Sequence, residues 1–258
     1  MRPLLIALLT LLAMEAGAVE VLLLNREVSY FGGLQEPRMI SDSASSLEIG
    51  AFFEDLSDAV SSPPDVEAAA AAFQSSFVNT GGGGLAIDVV DADVSARATA
   101  LAEGTIADAF AQSKLEIVFS TDEITTLTVD VVISSSLGLF FDGTGGGGDV
   151  ATSHIASFLL CVVGGGCLAD LFVEDISDNL SAIADSVQDS IEIPPGTYQV
   201  EFLAISQAIS QDDGSVLGSA GFSGEITVEP VPEPDTVFLG LAALGAIVAA
   251  RRRAWQVA

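Results

Sequence analysis

The sequence is short of positive charge. Its 258 residues hold eight lysines and arginines and one histidine against 36 acids, a formal net charge of -28. Binding nucleic acid requires a basic patch to neutralise phosphates, and too few bases are present to build one. Tryptophan occurs once, as Trp255, and tyrosine twice, so a carbohydrate site made of stacked aromatic rings has little to stack with. Two cysteines and one histidine are too few ligands for a zinc site. No G-x-S-x-G elbow points to a serine that His154 could serve, so a Ser-His-Asp arrangement has no sequence support. Long apolar runs occur only at the two chain ends, which excludes a polytopic helical membrane protein. What is abundant is apolar residues: they make up 50% of the chain, and a disordered acidic chain would lack them. The length suits one large all-β domain or two small ones.

Both ends read as addresses. At the N-terminus, Arg2 precedes an apolar run over 4–14, and Ala16-Gly17-Ala18 supplies the small-x-small pattern of a secretory signal peptide cut after Ala18. At the other end, residues 236–250 (TVFLGLAALGAIVAA) carry no charge and are followed at once by Arg251, Arg252 and Arg253. A helix of this length spans about 22 Å, short of a hydrocarbon core of about 30 Å, a gap that flanking residues or local thinning can close. The arginines belong on the cytoplasmic side, which leaves the body on the far side of the membrane.

Between the body and this apolar run stand Pro232, Glu233 and Pro234. Two prolines flanking one residue keep the backbone extended and outside any sheet or helix. Pro-Glu-Pro, a short Gly/Ala/Leu-rich helix and a terminal arginine cluster resemble the PEP-CTERM protein-sorting tail. Asp235 and the AWQVA that follows the arginines are departures from the pattern. The resemblance implies a Gram-negative exopolysaccharide-producing host and a membrane-embedded exosortase that recognises Pro-Glu-Pro and removes the tail. It also implies a transient inner-membrane stage with the body periplasmic, then release or transfer to the cell surface or extracellular matrix.

The body, residues 19–230, keeps every acid except Glu15, Glu233 and Asp235, and only Arg26, Arg38, Arg97 and Lys114 as bases, so it is more acidic than the whole chain. Such charge favours solubility and repels polyanionic polysaccharide unless divalent cations intervene. Apolar-polar alternation with β-branched residues predicts strands over 114–120, 125–136 continuing to 142, 197–206 and 216–229, with 85–99 a further candidate. Turns are expected at Pro194-Pro195-Gly196 and at 212–215, and loops at the glycine runs 81–84 and 143–148. A single antiparallel β-sandwich, jelly-roll-like, is therefore expected over 19–230, flanked by the signal peptide (1–18) and a sorting tail (231–258) with one transmembrane helix. Two segments read otherwise. Residues 65–73 (DVEAAAAAF) have helical propensity after a Pro-Pro entry. Residues 169–191 place Phe172, Ile176, Leu180, Ile183, Val187 and Ile191 at helical spacing; the resemblance to PEP-CTERM proteins, whose bodies often carry Ser/Ala-rich strands leading into a Pro-x-Gly-Thr-Tyr turn, implies a strand instead, so helix and strand both stay open there.

Cys161 and Cys167 bracket a glycine turn, and in an exported chain they are expected to form a disulfide at a hairpin tip, free thiols being the alternative. Asp88, Asp91 and Asp93 form the best acidic cluster for Ca²⁺, against the reading of a solvated strand edge, since a hard cation needs six to eight oxygens. Tyr198, after a turn, reads as a core or corner residue. No catalytic constellation emerges. The functional expectation is a non-enzymatic surface or matrix protein sorted by an exosortase-like membrane enzyme, without a cofactor. A Ca²⁺-dependent polysaccharide-binding or adhesion module and a secreted carboxylate hydrolase are the alternatives.

Overall fold

The computed structural model describes residues 19–34, 38–62, 66–81, 84–100, 105–140, 150–175, 181–211 and 214–231. Twelve strands run through them in chain order: β1 (Glu20–Leu34), β2 (Met39–Ser46), β3 (Gly50–Ser62), β4 (Val66–Asn79), β5 (Leu85–Ala100), β6 (Ile106–Thr121), β7 (Thr125–Phe140), β8 (Val150–Val162), β9 (Cys167–Asp175), β10 (Ser181–Ile193), β11 (Gly196–Gln211) and β12 (Gly214–Pro230). They form two antiparallel six-stranded sheets, ordered β2-β1-β6-β11-β8-β9 and β10-β7-β12-β5-β4-β3. The sheets pack face to face as a β-sandwich. Among the described residues no helix is long and apolar enough to cross a membrane, and the expected helix over 236–250 lies outside them.

The pairing is nested. β8 pairs with β9, β7 with β10, β6 with β11 and β5 with β12, and successive pairs alternate between the two sheets. A long antiparallel ribbon is thereby wound around a common core. The β1–β2 and β3–β4 hairpins widen one sheet each, beside β6 and β5.

Alternation fixes which face each residue takes. In β6 and β11 every second side chain is buried along the strand. Toward one end the core is aromatic: Phe119 stacks on Tyr198 at 5.5 Å, and Phe202 bridges Phe158 (5.0 Å) and Phe222 of the facing sheet (5.2 Å). Toward the other end it is lined by small side chains, with Ala68, Ala70 and Ala72 of β4, Ala96, Ala98 and Ala100 of β5, and Ala107, Ala109 and Ala111 of β6 all buried.

That alanine lining corrects the helix expected over 65–73. Val66–Asn79 is strand β4, paired on both sides, with buried and half-buried residues alternating over Val66–Gln74. Alanine's helical propensity amounts to a fraction of a kcal/mol per residue and yields to pairing and burial. Its small side chain is what lets the sheets approach: a Cβ on Gly32 of β1 would lie 3.7 Å from the Ala68 Cβ. The ambiguous segment 169–191 resolves as strand. It divides between β9 and β10, in different sheets, with 176–180 outside the described residues. The helical spacing there is a coincidence across two strands: Phe172 and Ile183 are exposed, while Val187 and Ile191 pack against the core.

Where the chain crosses from β2 to β3 it changes sheets, and Arg26 of β1 holds the crossing. Its guanidinium is fully buried and donates from Nη1 to the Gly50 carbonyl (2.8 Å), and from Nη2 to Ser46 Oγ (3.3 Å) and the Glu48 carbonyl. It also sits 5.2 Å from the centre of the Phe52 ring.

Candidate functional site

The chain enters and leaves the sandwich at the same end. β1 starts at Glu20 opposite Ser120, and β12 finishes at Pro230 opposite Thr125. Ser120 and Thr125 bracket the β6–β7 turn, so both termini of the body flank one turn. The final strand lies centrally, between β7 and β5. Proline has no N–H to continue a ladder, and Pro230 is its last residue; Val231 N–H then donates to the Ile124 carbonyl at 3.1 Å. Beside this exit lies an open depression of about 360 Å³, lined by Asn79, Gly84, Leu85, Val228, Glu229 and Pro230 among others.

Two more turns close the same end. Pro194-Pro195 joins β10 to β11, and the buried Tyr198 hydroxyl donates back to the Pro194 carbonyl at 2.6 Å, fixing the corner. Cys161 and Cys167 are cross-strand partners in the β8–β9 hairpin, joined by a disulfide with Cα atoms 3.8 Å apart. Within the turn Val162 N–H donates to Gly166 O (3.0 Å) and Gly165 N–H to Val162 O (2.8 Å), while Gly164 takes a positive φ of 78°, which glycine adopts freely. Val163 N–H reaches the Thr197 carbonyl at 2.9 Å and ties this hairpin to the neighbouring corner.

Asp88, Asp91 and Asp93 all project from the outer face of β5. Simple alternation would send Asp88 and Asp91 to opposite faces. A bulge at Val90–Asp91, where the register to β4 and β12 shifts, restores the shared face. Burial, and secondarily the charge of Asp91, raises the Asp93 pKa above the ordinary carboxylate value. Asp88 lies opposite Glu225 of β12, and Glu225 opposite Asp130 of β7, which makes a carboxylate row across three strands. Asp130 Oδ2 accepts from Gln188 Nε2 at 3.0 Å. Among the described residues no group of three or more His, Cys, Asp or Glu side chains is arranged to hold a metal ion.

His154 is buried on β8. Its Nδ1 lies 2.9 Å from Ser206 Oγ, and Ser206 Oγ donates to the Gly218 carbonyl at 2.9 Å. Since the Ser206 proton is committed to Gly218, Nδ1 is the donor to Ser206, which assigns the tautomer. Ser135 Oγ donates to the His154 carbonyl at 3.1 Å. The ring fills the space above Gly218, where a Cβ would come within 1.9 Å of it. Ser206 and His154 are thus paired across adjacent strands, but both are fully buried, and the contact is a packing hydrogen bond inside the core.

Ala16, Ala18, Pro232, Glu233, Pro234, Arg251, Arg252 and Arg253 lie outside the described residues. The serine beside His154, the acids aligned with Asp88 and the Arg26 clamp have no signature in the sequence, because each depends on cross-strand register. Two comparisons with known proteins add little: no curated protein matches the chain. Among solved structures, the infectious bursal disease virus VP2 subviral particle is 11% identical, covering 92% of this chain and 75% of that one at a TM-score of 0.14. The Gx strain structure of the same virus is 12% identical, covering 84% and 68% at a TM-score of 0.13. Such low TM-scores support no inference about fold or function. The third comparison is specific: the family described as the PEP-CTERM protein-sorting motif matches residues 230–254, beginning at the residue on which β12 ends. The chain therefore carries a PEP-CTERM sorting domain, the mark of an exported protein that transits a membrane and is processed by an exosortase, a membrane enzyme.

Proposed function

We propose that this protein is an exported, non-enzymatic component of the cell surface or extracellular matrix. The signal peptide is removed after Ala18, the tail anchors the body through 236–250 with Arg251, Arg252 and Arg253 cytoplasmic, and an exosortase cuts near Pro232-Glu233-Pro234. The mature product is the β-sandwich alone. The observation that carries this reading is the coincidence of two boundaries: the sorting motif begins at Pro230, where the last strand ends. All twelve described strands precede the cleavable segment, so removing the tail takes none of them from the fold. The nested pairing of β5–β12 is the connectivity of a jelly roll, a fold that serves as a building block in capsids and lectins.

The calcium-bridged polysaccharide-binding alternative rests on Asp88, Glu225 and Asp130. That row offers one side chain per strand on an open face, where a hard cation needs six to eight oxygens. The body therefore serves a structural role.

Intact-mass analysis of the protein from its native host tests the sorting route. A mature form that begins at Val19 and has lost RRRAWQVA is expected, and a full-length C-terminus in surface fractions would refute it. In a Pro232→Ala, Pro234→Ala variant the uncut form should accumulate in the inner membrane.

A further inference from the structure

The turns that surround the tail exit carry apolar side chains that the fold leaves exposed. Leu22 (52% exposed) and Leu23 (44%) flank the irregular start of β1, Ile124 (52%) tips the β6–β7 turn, and Val163 (52%) tips the disulfide hairpin. Pro194 and Pro195 add two more apolar surfaces at the same level, next to Thr197, which is itself opposite Ser120. Among the described residues nothing covers these groups. They belong to separate turns, and together they rim the end of the sandwich.

The chain beyond that end determines what they meet. Only five residues, 231–235, separate the last residue of β12 from the apolar segment 236–250. Fully extended, they reach at most about 20 Å. β12 has 17 residues, so the sandwich is about 55 Å long, and the short tether cannot hold it clear of the membrane. β1 starts at this same end, which places residue 19 there as well.

We infer that the sandwich stands end-on on the lipid bilayer before processing, with Leu22, Leu23, Ile124 and Val163 seated among the headgroups. This rests on the reading that 236–250 crosses the membrane. Apolar side chains at a membrane surface bury about 5–10 Å into the headgroup boundary. Glu20, Asp122, Glu192 and Glu229 are exposed around the same rim, so the preferred surface is zwitterionic, and anionic lipid repels it. The posture presents the Pro-Glu-Pro segment at the membrane face, within reach of a membrane-embedded enzyme, while the alanine-lined end points away.

The test uses the full chain in phosphatidylcholine vesicles containing lipids brominated near the headgroup end of the acyl chain. In wild type, Trp255 fluorescence and resistance to carbonate extraction report whether the tail is inserted. In a Trp255→Phe background, Ile124→Trp and Val163→Trp place an indole on the rim, and Leu217→Trp places one 13 residues back along β12 on an exposed position. The rim indoles should lose about half their fluorescence and the one at 217 essentially none, given the shallow depth of such docking. Replacing a third of the lipid with phosphatidylglycerol should reduce rim quenching. An inserted tail with unquenched rim indoles overturns the docking alone. A tail that does not insert overturns the docking together with the anchoring reading.

Discussion

Arg26 ties the two sheets together through carbonyl oxygens rather than through a carboxylate. Burial lowers its pKa, and the nearby Glu48 charge opposes that shift only in part. The cost of burying this charge is offset by the hydrogen bonds to Gly50 O, Glu48 O and Ser46 Oγ and by the Phe52 ring. Arg26→Met keeps the length of the stem but removes every one of those donors. It should destabilise the protein by about 2–3 kcal/mol, since each hydrogen bond to a charged group contributes about 1.5–3 and some carbonyls regain water. Urea unfolding measures this directly; an unchanged midpoint would show that the crossing holds without the clamp. At this scale sequence and structure divide sharply. Pro232, Glu233, Pro234 and the arginine triplet are legible because the motif is contiguous. The partners of Arg26, His154 and Asp88 come from residues 19 to 137 positions away, and only the strand register brings them together.

Among elements, β8–β9 is the hairpin with a covalent fastening, and β9 needs one. It is a nine-residue edge strand with Leu168 and Phe172 exposed. Of the other three edges, β3 and β10 carry Asp55, Asp58, Asp185 and Asp189, charges that discourage pairing with a second copy. In a Cys161→Ser, Cys167→Ser variant, loop-closure entropy for so short a span predicts a loss of about 2 kcal/mol. The loss should be local: hydrogen exchange should quicken in β9 and the adjoining face of β8 while β6, β11 and β12 stay protected. Exchange that accelerates evenly across both sheets would argue against a local role. The strands that the sequence makes legible are those with contrast between their faces, such as β6, β7, β11 and β12. β4 was obscured because both faces are alanine, and a helix and a strand of alanine look alike when only polarity is compared. The β9–β10 segment was obscured because period-two alternation is broken there: one face of β10 mixes Ile183, Val187 and Ile191 with Asp185 and Asp189, while Ala182, Ala184 and Ser186 on the other give little contrast. The winding of the ribbon between the sheets leaves no local signal at all, since it is set by pairings between strands far apart in sequence, such as β5 with β12.

For the whole molecule the governing quantity is an excess of acids that no set of bases offsets. Lys114 pairs with two of the acids, its ammonium 2.9 Å from Glu116 and 3.6 Å from Glu201. The hydrogen bond that its ammonium donates to the Glu116 carboxylate, more than any other influence, raises its pKa. Burial raises Asp93 and Asp108 above the ordinary carboxylate value of 3.8, Asp91 adding to the first and a Gln207 hydrogen bond opposing the second. Burial also raises Tyr30 and Tyr198. The sign is the same for all five groups. Each folded-state pKa exceeds its unfolded value, so the native state holds the proton over a window in which the unfolded chain has released it, and stability falls as pH rises through that window. For the two aspartates the window opens just above 3.8; for the tyrosines and Lys114 it opens at 10 and 10.5. Mutual repulsion of the carboxylates acts in the same direction, because protonating any of them relieves the compact state. Thermal unfolding at constant ionic strength should therefore give a higher Tm near pH 5 than at pH 8, and a further fall above pH 10. Added salt should narrow the difference between pH 5 and 8 by screening the exposed charges. Asp93→Asn with Asp108→Asn should raise Tm at pH 8 and have less effect as the pH falls toward 3.8. A Tm that climbs from pH 5 to pH 8 would mean that carboxylates stabilised in the native state outweigh the buried and mutually repelling ones, and the acidity of the body would then contribute to its stability rather than oppose it.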